Sequence, residues 1–316
     1  MPFDSLRSFL DSLEEAGQLL RVNRQVSPEP DLGAAGRAVA DLGDKAPALL
    51  FTAVHGYRDA QVALNVHGSW PNHALMLDLP PDTGPREQFF ELHRRWKNFP
   101  VAAERRDATP PWQEVSITEN INLFDLFPLF RLNTADGGPY IDKAAVVSRD
   151  PEAPDDFGRQ NVGIYRLQVK GPAKLAVQAA PIHDLGGHMA AASRRGARTL
   201  PVAICLGNDP VLSLVAAMPL KSHQSEYEMA GALQEAPYPV ATSPVHGLDV
   251  PWVRRRSSRP RSCSTNASTR DRSASSPDTA AADARCPLFA STPCTPGRSR
   301  SSSTSTWGCH GRRSTI

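Results

Sequence analysis

Five polar side chains in the 316-residue sequence could do chemistry together: Asn161, Arg166, His183, His188 and Glu226. Asn161, His183 and Glu226 offer an amide oxygen, an imidazole and a carboxylate. That mixed N/O donor set suits Mn²⁺ or Mg²⁺ better than a thiophilic metal. Arg166 falls inside an otherwise apolar strand pattern, where an unpaired guanidinium is costly, so an anionic partner is expected for it. Asn161 and Arg166 are an odd number of positions apart, which puts them on opposite faces of a regular strand. A shared site therefore needs a bulge or bend, with Gly163 the natural place for one. Each residue also has a structural reading. A lone loop histidine is more often packed or solvated than a ligand, and Glu226 in Ser225-Glu-Tyr-Glu228 reads as a solvated helix start. His183 and His188, at i and i+5, do not match a helical zinc pair, and neither a Walker loop nor a GxGxxG after a strand is present. The residues alone point to an anion-plus-divalent-metal site and leave the structural readings open.

The elements that must position these groups can be read in outline. Phe3, Leu6, Phe9, Leu10 and Leu13 recur at helical spacing, with Gly17 placed to end the helix. Residues 48–54 and 62–66 read as short buried strands closed by His-Gly pairs, and residues 88–96 as a polar helix. Pro110-Pro111 marks a boundary. Beyond it, residues 144–148, 162–169, 174–177 and 202–206 are short apolar runs bounded by Gly, Pro or Asp, a pattern that favours a barrel-like or sandwich β domain. Helical patterns recur near 188–194 and 226–233. The order of strands in the first sheet is not readable.

Composition changes abruptly at Trp252. Residues 253–316 hold 12 Arg, 15 Ser and three Asp but no Lys or Glu, a net of +9. Residues 1–252 hold 23 basic and 30 acidic residues, a net of −7. Four of the five cysteines (Cys263, Cys286, Cys294, Cys309) lie beyond the change, at spacings that make neither CxxC pairs nor a disulfide framework. No run approaches 18 consecutive apolar residues, so no membrane span is expected, and the N-terminus lacks a signal-peptide core, so a soluble cytoplasmic protein is expected.

The segment Asn161-Val-Gly-Ile-Tyr-Arg166 resembles the UbiD-type decarboxylases, which use prenylated FMN. Leu6-Arg-Ser-Phe-Leu10, Asp136-Gly-Gly-Pro-Tyr-Ile141, Leu206-Gly-Asn-Asp-Pro210, Ala217-Met-Pro219 and Ser225-Glu-Tyr-Glu-Met-Ala-Gly231 carry the same resemblance, in order, across residues 1–252. Val66-His-Gly-Ser-Trp-Pro-Asn-His73 and Asp142-Lys-Ala-Ala-Val-Val-Ser-Arg149 resemble the branch acting on 4-hydroxybenzoate and vanillate, the C subunit of the non-oxidative hydroxyarylic acid decarboxylases. The resemblance implies an α/β domain over residues 1–115, a split β-barrel holding flavin and metal over 116–252, and a C-terminal α/β domain missing from this chain. It implies Asn161, His183 and Glu226 as Mn²⁺ ligands and Ile164, Tyr165 and Arg166 as a flavin-binding segment. Arg166 would also hold the substrate carboxylate, and Ala216, Ala217 and Met218 are the backbone stretch for K⁺. His188 matches weakly and is expected to be structural. Covalent catalysis by the cofactor, with reprotonation by a buried carboxylic acid, is the implied mechanism. The implied partners are a small aromatic acid substrate, a flavin prenyltransferase that supplies the cofactor, a small third subunit, and further copies in a homo-oligomer.

The family's acid-bearing EGPFGEFTGY-like motif is absent as written. Reading each third codon base of residues 269–279 with the next residue's first two bases permits that string. Residues 300–311 permit FEHLYLGMPW in the same way. One lost G after codon 251 accounts for both, so residues 253–316 are expected to be an out-of-frame, disordered tail and the chain as written to be inactive. Two other readings stand beside this: a non-catalytic flavin-binding remnant, and a basic-tailed nucleic-acid-binding protein.

Overall fold

The computed structural model describes residues 3–253 and the backbone of 288–293. Helix α1 (Leu6–Glu15) starts where Ser5 and Ser8 cap each other reciprocally, each Oγ accepting the other's backbone N–H at 3.3 Å. It buries Phe9, Leu10 and Leu13 and stops at Gly17, which takes the left-handed φ of +69° that a side chain would resist. The chain returns as β1 (Leu19–Val22), α2 (Gly33–Ala40), β2 (Ala48–Phe51) and β3 (Val62–Leu64). β2 is buried along its length between β1, which runs parallel to it, and β3, which runs antiparallel. Two helices follow, α3 (Trp70–Met76) and α4 (Pro85–Trp96), then the two-residue β4 (Glu104–Arg105) and a single turn, α5 (Leu123–Leu126).

The second half is richer in strand: β5 (Tyr140–Ile141), β6 (Ala145–Arg149), β7 (Gln160–Ile164), β8 (Leu167–Gly171), β9 (Lys174–Val177), α6 (Asp184–Arg194), β10 (Thr199–Cys205), α7 (Pro210–Val215), α8 (Glu226–Gln234), β11 (Pro239–Thr242), β12 (Asp249–Pro251) and β13 (Leu288–Pro293). These strands form three sheets, ordered β13-β10-β6-β7, β5-β8-β9 and β12-β11-β4. The mixed α/β reading holds. The barrel-like expectation is met only as separate sheets, and no closed barrel exists among the described residues. The reason is local: residues 162–169, expected as one strand, break at Tyr165-Arg166, so β7 pairs with β6 while β8 pairs with β5 and β9.

The two halves share an apolar core. One cluster joins Phe9, Leu13, Leu50 and Met76 to Val147, Val162, Val215, Tyr227 and Leu233. The sheet β12-β11-β4 also crosses the expected boundary, because β4 pairs with β11. Burying a leucine-sized side chain stabilises by roughly 1.5–3 kcal/mol, so this shared cluster is what fixes the β6–β7 unit against α1. A smaller cluster of Val26, Leu32, Val39, Leu49 and Phe51 belongs to the first sheet alone. Cys205 is buried and unbridged, its thiol pushed up to about 12 by burial.

Most of the expected disordered tail lies outside the described residues, as do its four cysteines and the basic segment on which a nucleic-acid reading would rest. Six of its residues depart from the expectation, since β13 pairs antiparallel along β10. Leu-Phe-Ala-Ser-Thr-Pro is the tail's most apolar stretch, and β10 offers an otherwise open sheet edge. No helix among the described residues is long and apolar enough to cross a membrane.

Candidate functional site

The site is built on the outer edge of β7. Its inner edge is paired to β6, with Asn161 opposite Ser148 and Val162 opposite Val147. No strand among the described residues covers the outer edge, and two of its N–H groups are satisfied by helix ends. Val162 N–H donates to Glu226 Oε2 at 3.0 Å, and Ile164 N–H donates to the Ala216 carbonyl at 3.0 Å. Buried backbone donors demand acceptors, and this demand draws the start of α8 and the end of α7 onto β7. Helix α7 is set by Asp209, which caps it through Leu212 N–H at 2.9 Å and accepts a short hydrogen bond from the Tyr238 hydroxyl. Glu226 opens α8 and is buried, contrary to the solvated helix start that its local sequence favours.

Asn161 is buried on β7 and donates from Nδ2 to the Tyr165 hydroxyl at 3.4 Å. The same hydroxyl accepts the Leu185 N–H at 3.3 Å, tying the first turn of α6 to the strand. Gly163 makes this possible. A Cβ there would lie 2.5 Å from the Tyr165 ring, so only glycine lets the ring fold back over β7. His183 sits just before α6, its ring edge-on to Tyr165 at 5.8 Å and its Nδ1 accepting the Ala180 N–H at 3.3 Å. It is exposed. His188, one turn into α6, is buried with Nδ1 3.0 Å from Ser148 Oγ. Burial lowers its pKa.

An open cleft lies over this edge. Asn161 and Glu226 line it together with Gln160, Asp184, His188, Lys221 and Gln224. The predicted donors are therefore only partly assembled. Asn161 and Glu226 share the cleft, whereas His183 is joined to them through Tyr165 and is not on the cleft wall. Burial pushes the Glu226 carboxyl up to about 8, a rise that the N–H of Val162 only partly offsets. A buried carboxylate held by N–H groups alone lacks a cation. Beside it, Ser225 Oγ is buried with no hydrogen-bond partner among the described residues. The donor set is oxygen-rich and free of sulfur, which fits a hard divalent cation, although Arg159 and Lys221 also line the cleft. Among the described residues no group of three or more His, Cys, Asp and Glu side chains is arranged to hold a metal.

Of the predicted K⁺ stretch, the Ala216 and Met218 carbonyls already accept N–H groups from Ile164 and Leu220, each at 3.0 Å, and Ala217 is exposed. A carbonyl keeps a second lone pair, so both remain competent ligands.

Arg166 departs from expectation. It is not a buried guanidinium in a strand but an exposed one at the break between β7 and β8, 6.0 Å from the Tyr140 ring. The strand breaks at Tyr165-Arg166, two residues beyond Gly163, and Arg166 does not line the cleft that Asn161 lines. The argument for an anionic partner from the cost of burial therefore fails. What remains is an accessible guanidinium with Asp142 acting on it through space. Sequence reasoning missed Asp184, Gln160, Lys221 and Gln224 as cleft residues. Gln160, between Arg159 and Asn161, precedes the apolar run of 162–169, so none of the four carried a sequence signal.

Comparison with known proteins gives the same family at both halves. The profile of the 3-octaprenyl-4-hydroxybenzoate carboxy-lyase N-terminal domain, UbiD_N, matches residues 10–92. That of the carboxy-lyase Rift-related domain, UbiD, matches residues 103–253. A phenolic acid decarboxylase of Escherichia coli O157:H7 is 57% identical over 253 residues, covering 80% of this chain and 53% of that protein. The closed form of the vanillic acid decarboxylase ShVdcCD of Sedimentibacter hydroxybenzoicus superposes with a TM-score of 0.77 at 46% identity, over 79% of this chain and 53% of that one. An evolved dimeric form of the UbiD-class enzyme HmfF of Pelotomaculum thermopropionicum, in complex with prFMN, gives 0.69 at 30% identity, over 79% and 55%. The chain spans about half the length of the curated relatives it matches.

Proposed function

The chain belongs to the UbiD family of carboxy-lyases, and on that footing we propose that its site serves the non-oxidative decarboxylation of a phenolic aromatic acid of the 4-hydroxybenzoate and vanillate class. The observation that carries the reading is the edge of β7, where the Glu226 carboxylate and the Asn161 amide share one cleft and Ile164 and Ala216 are bonded beside them. Prenylated FMN, when bound, would supply the electron sink that takes the pair released as CO₂ leaves. Asn161 and Glu226, joined by His183, would hold Mn²⁺ for the cofactor's phosphate, and the 216–218 carbonyls would hold K⁺. Ile164 and Tyr165 would flank the flavin. Arg166 would bind the substrate carboxylate, its planar fork matching two oxygens at once. Its exposure leaves it free to do so.

The finer expectations belong to this reading as well. A split barrel completed around the flavin, a C-terminal α/β domain in the full-length protein and an acid in an EGPFGEFTGY-like segment are proposed with it. So is the out-of-frame origin of residues 253–316, under which the chain as written does not turn over. ShVdcCD has a second component in its name, and a small partner subunit is proposed here too, with a prenyltransferase as cofactor supplier and a homo-oligomeric full-length form.

The test is to load the 316-residue chain with prenylated FMN, Mn²⁺ and K⁺ and to add vanillate or 4-hydroxybenzoate. Flavin absorbance retained after gel filtration, no CO₂ release by the chain as written, and release once the alternative frame is restored are the expected results. Retention without release in the restored form would favour a non-catalytic flavin-binding protein. Loss of the flavin from both forms would refute the site.

A further inference from the structure

We propose that the peptide of Asp249 is the positioning element of the candidate metal site, holding Asn161 and Glu226 in place through their chain neighbours Gln160 and Tyr227. The inference rests on the metal reading above and names residues that this reading does not use.

Gln160 and Asp249 are bonded reciprocally. The Asp249 N–H donates to Gln160 Oε1 at 2.9 Å, and Gln160 Nε2 donates to the Asp249 carbonyl at 3.1 Å. The Tyr227 hydroxyl donates to the same carbonyl at 2.8 Å. Gln160, Tyr227 and Asp249 are each 1% exposed or less, so none of these bonds has water to replace it. Gln160 precedes Asn161 on β7, and consecutive strand side chains point to opposite faces. Gln160 accordingly reaches the Asp249 backbone, while Asn161 reaches the Tyr165 hydroxyl. Tyr227 follows Glu226 in the first turn of α8, so the hydroxyl that fixes the ring also fixes the helix start from which Glu226 reaches β7.

The clamp is itself held. The Asp249 carboxylate accepts the Arg105 guanidinium at 2.8 and 3.2 Å and the Thr242 hydroxyl at 2.8 Å. Arg149 donates to Gln160 Oε1 at 3.1 Å and to the Gly247 carbonyl at 2.7 Å. One backbone carbonyl on β12 thus meets both elements that carry the oxygen donors. Groups that orient metal ligands commonly change metal affinity by about 10- to 100-fold when removed.

The test measures Mn²⁺ binding to the unloaded 316-residue chain by the loss of the free-ion EPR signal. Four proteins are compared: wild type, Gln160→Leu, Tyr227→Phe and Val39→Ala, the last a stability control in the separate cluster of the first sheet. Gln160→Leu should weaken Mn²⁺ binding by about 10-fold or more. Tyr227→Phe, which keeps its ring packing, should weaken it by a smaller but measurable factor. Val39→Ala should bind like wild type at equal or greater loss of thermal stability. If Gln160→Leu does not fold, the comparison of Tyr227→Phe with Val39→Ala decides. Wild-type affinity in folded Gln160→Leu and in Tyr227→Phe, or weakening no greater than in Val39→Ala, would overturn the positioning role and leave the metal site standing. If wild type itself binds no Mn²⁺, the metal reading fails and the positioning role falls with it.

Discussion

Strands β7 and β8 follow one another with two residues between them, yet they treat their polar groups in opposite ways. β7 is buried from Gln160 to Gly163, and both polar side chains on it are hydrogen-bonded, Gln160 to β12 and Asn161 to the Tyr165 hydroxyl. β8 alternates buried and accessible residues, and at its threshold Arg166 stands exposed beside a tyrosine ring. The first strand places its groups by enclosure, the second leaves its cation available. The proposed function, a resident ion and an anionic substrate in one site, would use both treatments. Enclosure fixes a ligand, and exposure keeps a guanidinium free for a carboxylate that arrives from solution.

The sharpest way to break this contrast is at Glu226. Replacing Glu226 by Gln keeps its shape and removes its charge. Mn²⁺ affinity should fall by at least about 100-fold, beyond the range typical of groups that merely orient ligands. Without metal, the variant should be no less stable than wild type, because the buried carboxylate has only N–H partners and no cation to lose. Calorimetric titration and thermal unfolding of the same preparations check both halves. A large loss of stability without metal would mean that Glu226 serves the fold and not an ion.

The next effect belongs to Gly163. Gly163→Ala drives a methyl into the Tyr165 ring, which lies 2.5 Å from the added carbon. Overpacking of this kind costs about 1–3 kcal/mol, and denaturant unfolding should read that loss. The ring must move, so its bonds to Asn161 and Leu185 should go with it, and Mn²⁺ binding should weaken too.

Enclosure is felt outside the site as well. His67 lies against the Phe9 and His73 rings, and burial, aided by the Lys143 charge, lowers its pKa to about 3. The ordinary value near 6.5 applies in the unfolded chain, so the unfolded state takes up the proton first as pH falls. The stability contribution is present above about pH 6.5 and is lost progressively toward pH 3. At 1.36 kcal/mol per pH unit, the loss reaches about 2 kcal/mol by pH 5. His67→Gln should remove that part of the acid sensitivity, measured as the difference in unfolding free energy between pH 7 and pH 5.

How far the sequence disclosed all this depended on whether a signal was local. α1 was legible because its apolar spacing and Gly17 both lie within one turn of what they specify. β2 and β3 were legible as short apolar runs, within narrower bounds than expected. The break at Tyr165-Arg166 was not, because it depends on a ring folding back over a glycine two residues earlier, and the apolar pattern runs straight through it. Glu226 was misread as solvated for a similar reason. Its burial follows from the open edge of β7, more than sixty residues away. The identities of Asn161 and Glu226 as candidates came from residue type and resemblance. Their shared cleft came from tertiary structure, and so did the Asp249 clamp behind them.

The smallest expected effect is at Arg166, and it separates exposure from idleness. Arg166→Gln removes a charge that no ion pair holds among the described residues, so stability should change by no more than about 0.5 kcal/mol, as at other exposed positions. If the guanidinium is kept free for a substrate carboxylate, the same variant should lose affinity for vanillate by roughly tenfold or more, since a hydrogen bond to a charged group contributes about 1.5–3 kcal/mol. Paired unfolding and ligand-titration measurements on the cofactor-loaded chain test the two statements together. A stability loss well above 1 kcal/mol would place Arg166 within the fold's own electrostatics and erase the contrast with β7. An unchanged stability with unchanged vanillate affinity would leave Arg166 exposed but without the substrate-binding role proposed for it.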